Sequence, residues 1–182
     1  MPQRARDPAL RELVSADAVR ARLADLVGEI ASVLAGKRPL FIVIAEGARR
    51  FAERIARGVE GHGIACEQLV VRVRRTEGTQ LLGEVTIDAF DAARCAGRDV
   101  LVLDDIADEG RTLAAVLERV GKARPASLKT AVLVSKHARR LVPLTLDHVG
   151  FHFEDGWIVG YGMDLDGRFR DLDYLAVVTE EY

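Results

Sequence analysis

The chain has 182 residues, 49% hydrophobic and 30% charged, which suits one substantial core in a single domain over residues 1–182 and leaves little for a second. A formal net charge of -2 excludes a bulk positive field for nucleic acid or an anionic membrane surface, so an anionic ligand has to be held by local groups. Cys66 and Cys95 form no CxxC pair or metal spacing, the start MPQRARDPALREL is mixed-charge, and no run nears the roughly 18 apolar residues of a membrane span; together these predict a soluble, cytoplasmic protein.

In chain order, Ser15 is an N-cap candidate for an amphipathic helix over 16–34, with Val14 and Val19 placed as a hydrophobic staple and Gly36 just past the end. LFIVIA, 40–45, is a short continuous apolar run, the pattern of a strand covered on both faces. A helical pattern follows from Arg49 to about Val59, then a strand over 66–72. The polar stretch RRTEGTQLLG, 74–83, has little apolar content to hold it down and reads as a mobile loop. DVLVL, 99–103, is the clearest buried strand. A helix over 112–120 and a strand over 128–134 come next, and short strand-like pieces at 148–153, 157–161 and 174–178 end the chain. Strands alternating with helices argue for an α/β fold, a parallel sheet with helices on both faces. Such sheets bind ligands at the carboxyl ends of their strands.

The segment VLVLDDIADEGRTL, 100–113, carries the chemistry. It sets Asp104 and Asp105 at the end of a buried strand, followed by a turn with Gly110 and a helix N-terminus. Amides at a helix start, with a glycine permitting close approach, can cradle a phosphate. The adjacent acids lie within reach of sugar hydroxyls or of a metal-bound sugar, and Asp108 and Thr112 complete the turn. No Gly-Lys-Ser/Thr occurs, and Gly160-x-Gly162 lacks the rest of a dinucleotide fingerprint.

This segment resembles the phosphoribosyl pyrophosphate signature of type I phosphoribosyltransferases: four apolar strand residues, two acids, a short glycine turn, Thr and a helix. WIVGYGMDLDGRFR, 157–170, is similar to the C-terminal purine-binding segment of hypoxanthine-guanine phosphoribosyltransferases, and KHARR, 136–140, follows a strand as the base-contacting lysine does there. The resemblance implies the type I fold, a parallel core with a small hood from the N- and C-terminal segments. It also implies magnesium, phosphoribosyl pyrophosphate and a 6-oxopurine as ligands, a homodimer or homotetramer, and a purine salvage reaction on hypoxanthine, with guanine as a further candidate.

Carried onto this sequence, the resemblance assigns Asp104 and Asp105 to the ribose hydroxyls, directly or through magnesium, and Asp108 to the N7 proton of the purine. The turn Asp108, Glu109, Gly110, Arg111 and Thr112 would bind the 5-phosphate. Lys136 would donate to O6, Trp157 would stack on the ring, and the backbone of Ile158 or Val159 would face the base edge. Asp164 would serve a second magnesium ion. Gly47 and Arg170 would contact pyrophosphate, and the loop near Thr76 would close over the site.

Two positions depart from the family pattern. Glu46 stands in the loop before Gly47 where a small or basic residue is usual, and its carboxylate is expected to turn away from pyrophosphate. Glu109 replaces the commoner Thr or Ser and is expected to face solvent, because the turn binds through amides. Arg139 and Arg140 read as a solvated face, and the four histidines as structural or exposed. Two other readings stay open: a regulator of this fold that senses nucleotides, and a transferase for another base such as xanthine or a pyrimidine.

Overall fold

A computed structural model describes residues 8–76 and 84–179. Strands β2 (Leu40–Ala45), β5 (Asp99–Ala107) and β6 (Ser127–Lys136) are apolar on both sides, and that decides the layering. On one face Phe41, Val43, Leu101, Leu103 and Leu133 pack against helices α1 (Ala16–Leu34) and α2 (Arg49–Gly61). On the other, Leu40, Ile42, Val100, Val102 and Val132 meet Leu113, Val116 and Val120 of α3 (Arg111–Gly121). Burial of each such side chain stabilises the fold by about 1.5–3 kcal/mol. Helices therefore cover both faces, as the strand and helix alternation predicts.

With β3 (Glu67–Thr76), β4 (Glu84–Ile87) and β7 (His148–Phe153), these strands form a six-stranded sheet in the order β4-β3-β2-β5-β6-β7. All neighbours run parallel except β4, which lies antiparallel to β3 at the edge. Residues 74–76 are thus strand rather than loop. The alternation in VVRVRRT carries β3 onward, and Val73 pairs with Ile87. The rest of the expected loop, 77–83, lies outside the described residues.

Local signals at α1 act as read. Ser15 Oγ accepts the Ala18 amide at 3.3 Å, Val19 is fully buried, and Gly36 takes a left-handed φ of +74° that ends the helix.

A second, antiparallel sheet of three strands joins the two ends of the chain: β1 (Leu10–Val14), β9 (Leu175–Val178) and β8 (Ile158–Val159), in the order β1-β9-β8. This is the expected hood. Its β1 gives no clear sequence signal, because only one of its edges is paired and its polar residues face out. The strand expected over 157–161 is cut to two residues by positive φ values at Gly160, Tyr161 and Gly162. Arg50 of α2 ties the hood to the core. It donates to the carbonyls of Asp171 (3.0 Å) and Leu172 (2.8 Å), pairs with Asp173, and lies 4.5 Å from the Tyr161 ring centre. Among the described residues no helix is long and apolar enough to cross a membrane.

Candidate active site

Because β2, β5 and β6 run parallel, their carboxyl ends bring Glu46 and Gly47, Asp104 to Thr112, and Lys136 to one edge of the sheet. Asp104 is 5% exposed, and its Oδ1 accepts the Asp105 amide at 3.1 Å. Asp105 Oδ1 accepts the Ile106 amide at 2.9 Å, and its carboxylate lies so close to Gly47 that a methyl group there would overlap it. Burial pushes the Asp105 carboxyl up, against the opposing pull of its hydrogen bonds and of Arg170. Gly110 then takes φ +88° and starts α3, whose first amides have no intrahelical acceptor.

Lys136 ends β6 and is 3% exposed. Its ammonium donates to the Gly156 carbonyl at 2.9 Å and lies 3.0 Å from Asp108 Oδ2. The other oxygen, Oδ1, is buried with no hydrogen-bond partner among the described residues. A buried acceptor left unmet is costly, so this oxygen suits a donor brought by a ligand. Asp108, Lys136 and Asp105 line a cavity of about 220 Å³ together with Trp157, Ile158 and Met163. Trp157 is 57% exposed, with its indole N–H on the Asp164 carbonyl at 3.1 Å, so its ring forms a wall rather than core. Ile158 borders the cavity, whereas Val159 is fully buried. A larger groove of about 590 Å³ runs between β4 and α3, lined by Val85, Ile87, Ala93, Glu118 and Arg119, but its charged groups are exposed helix residues rather than a buried donor and acceptor pair.

Arg170 Nη2 lies 2.6 Å from Asp164 Oδ1 and Nη1 donates to the Gly162 carbonyl at 2.8 Å. Asp164 Oδ2 accepts the Gly167 amide at 2.7 Å. Asp164 is therefore already engaged, and no group of three or more His, Cys, Asp or Glu among the described residues could hold a metal alone. Asp104 and Asp105 as a pair nevertheless fit a hard divalent cation, which takes one or two carboxylates and completes its shell with water and substrate oxygens. The Asp105 carboxyl, pushed up by burial, would be relieved by such a charge.

Glu46 turns to Arg49 Nε at 2.7 Å and Arg72 Nε at 3.7 Å. Glu109 does not face open solvent. It is a quarter exposed and stands 3.7 Å from Arg111 and 3.6 Å from Arg139, because both guanidiniums flank the turn. Arg111 Nε is buried without a hydrogen-bond partner among the described residues, which suits an incoming anion.

The solvated-face reading fails for Arg140. This side chain is half-buried and donates to the carbonyls of Asp108, Ala107 and Lys136, each at 2.8 Å. A run of basic residues gives no sign of this, since only the turn folded against it supplies the acceptors. Arg139, half exposed at the cavity rim, is nearer to the expectation. The histidines also agree with theirs. His148 is buried beside Glu29, and exposed His137 and His152 stack with ring centres 5.2 Å apart.

Residues 10–166, including the acidic turn and both walls of the cavity, match the phosphoribosyl transferase domain. The chain belongs to this family. Among similar phosphoribosyltransferases, the hypoxanthine-guanine phosphoribosyltransferase of Streptococcus thermophilus is 31% identical over 169 residues, 93% of each chain. The bifunctional protein TilS/HprT of Listeria monocytogenes is 32% identical over 170 residues, 93% of this chain, which spans about a quarter (26%) of that longer protein. The solved structure of Trypanosoma cruzi hypoxanthine phosphoribosyltransferase in complex with the product IMP matches with a TM-score of 0.85 at 25% identity, over 98% of each chain. The architecture is the type I phosphoribosyltransferase fold.

Proposed function

We propose that this phosphoribosyltransferase is a magnesium-dependent purine salvage enzyme, joining hypoxanthine or guanine to the ribose 5-phosphate of phosphoribosyl pyrophosphate and releasing pyrophosphate. The observation that carries the reading is the Asp108 and Lys136 pair lining one cavity together with Trp157. A 6-oxopurine offers one acceptor at O6 and one donor at N7–H, and this pair offers one donor and one acceptor. Trp157 supplies a flat apolar wall.

The reaction breaks the bond from the anomeric carbon to pyrophosphate and forms one to N9 of the base, through an oxocarbenium-like state. Asp108 accepts the N7 proton at Oδ1, the helix-start amides from Asp108 to Thr112 hold the 5-phosphate, and Arg111 adds charge there. Asp104 and Asp105 face the ribose hydroxyls. When bound, magnesium neutralises the leaving pyrophosphate. Gly47 offers its backbone to pyrophosphate, and Arg170 serves it after parting from Asp164. Asp164 is then available to a second ion. The homodimer or homotetramer and the cytoplasmic setting belong to this proposal. Incubating the protein with phosphoribosyl pyrophosphate, magnesium and a panel of bases, then identifying the nucleotide formed, tests it; formation of adenosine or pyrimidine nucleotide alone would refute it.

A further inference from the structure

Arg140 reaches from the segment after β6 to the ends of two neighbouring strands. Its Nε donates to the Asp108 carbonyl at 2.8 Å. Its Nη2 faces the carbonyls of Ala107 and Lys136 at 2.8 Å each and Ser135 Oγ at 3.2 Å. These acceptors include the carbonyls of Asp108 and Lys136, the two residues whose side chains meet 3.0 Å apart in the cavity. The same segment holds the next peptide as well. The amides of Leu141 and Val142 donate to the Glu109 carbonyl at 3.0 and 3.1 Å, and Gly110 packs so closely that a Cβ would come within 2.9 Å of the Val142 oxygen.

Peptide geometry gives these contacts a consequence for the ligand. Across a trans peptide the C=O and the following N–H point in opposite directions. Fixing the carbonyls of Ala107, Asp108 and Glu109 on one side therefore aims the amides of Asp108, Glu109 and Gly110 to the other. We infer that Arg140 is a positioning residue. It does not touch substrate, yet it sets the direction of the phosphate-binding amides and the separation of Asp108 from Lys136. The planar fork suits acceptors on two strands, which a lysine with a single nitrogen on a flexible stem does not span. The inference rests on the reading of this turn as a phosphate cradle.

The test compares the full-length protein with Arg140→Ala and Arg140→Lys. Amide hydrogen exchange in the unliganded proteins is expected to speed up about tenfold over 107–112 in Arg140→Ala, with the core of α1 unchanged. Turnover of hypoxanthine should fall about 100-fold from misplacement alone, with a raised KM for phosphoribosyl pyrophosphate. Guanidinium ion at non-denaturing concentration should restore part of the activity of Arg140→Ala, and Arg140→Lys should not substitute for Arg140. Unchanged exchange over 107–112, or a faster exchange spread evenly over the whole sheet, overturns the inference, as does kcat/KM within about twofold of the parent. If the parent protein forms no nucleotide, the functional reading fails, and the exchange comparison still decides the role of Arg140.

Discussion

The ammonium of Lys136 stands 3.0 Å from one oxygen of Asp108, while the other oxygen of that carboxylate is buried without a partner among the described residues. One side of the pair is thus a donor and the other a vacant acceptor. Asp108→Asn should lower kcat by about 10²- to 10⁴-fold, the usual cost of a lost general base, with a smaller effect on phosphoribosyl pyrophosphate binding. Adenine, which presents an amino group to Lys136, should be a poorer substrate than hypoxanthine by about 10⁴-fold. Lys136→Ala should narrow that gap. Steady-state kinetics with both bases check all three outcomes, and equal kcat/KM for adenine in the parent protein would remove Lys136 from the role of reading O6.

Asp105 leads to a prediction about pH. Burial raises its folded value above the ordinary 3.8, so the folded state binds this proton more tightly than the unfolded chain. The resulting stability is present below the ordinary carboxylate value and is lost as pH rises through the raised one. Asp105→Asn removes the ionised form, so the unliganded variant should melt higher than the parent at pH 8, by about 2–4 °C for each 1 kcal/mol recovered. The gap should narrow as pH is lowered toward 5. Thermal melts across this range check it, and a variant that melts lower at pH 8 would show that the buried charge is already compensated.

Gly47 tests the contact between the loop after β2 and the acidic turn. A methyl group at this position would overlap the Asp105 carboxylate, which can shift because it is a side chain. Gly47→Ala should therefore fold, with activity reduced about 100-fold through displacement of Asp105. Circular dichroism and turnover together check this. Full activity would mean that the acid works from a displaced position.

Glu46 is half exposed, as is Arg49 beside it, and Arg72 is more exposed still. Exposed pairs of this kind contribute about 0.2–1 kcal/mol, so Glu46→Gln should lower the melting midpoint by no more than about 4 °C and by less at high salt. A larger, salt-independent drop would show that the carboxylate holds the loop through contacts other than these two arginines.

Much of this was legible in the sequence. Strand runs such as LFIVIA and DVLVL announce themselves because both faces of the sheet are covered, so apolar residues stand consecutively. The acidic turn is contiguous, which lets Asp104, Asp105, Asp108 and Gly110 be read together. Lys136 and Trp157 are legible only through the family resemblance, since their approach depends on the spacing of β6 from the hood. Arg50 and Arg140 carry no sequence sign of a site-supporting role. Most of their acceptors are backbone carbonyls distant in sequence, and a carbonyl carries no sequence signal. The β3 extension is not legible because Arg74, Arg75 and Thr76 pair only with the edge strand β4, and their polarity resembles that of a loop.

The proposed reaction is nucleotide formation at the Asp108 and Lys136 cavity with the help of a divalent ion. The most direct measurement is product analysis after mixing the protein with phosphoribosyl pyrophosphate and hypoxanthine, with magnesium and again with excess chelator. Inosine monophosphate and pyrophosphate should form in equal amounts with magnesium, and turnover should collapse in chelator, because the pyrophosphate and the paired acids Asp104 and Asp105 would repel one another. Equal turnover in chelator, or no nucleotide from hypoxanthine or guanine with magnesium present, would contradict it.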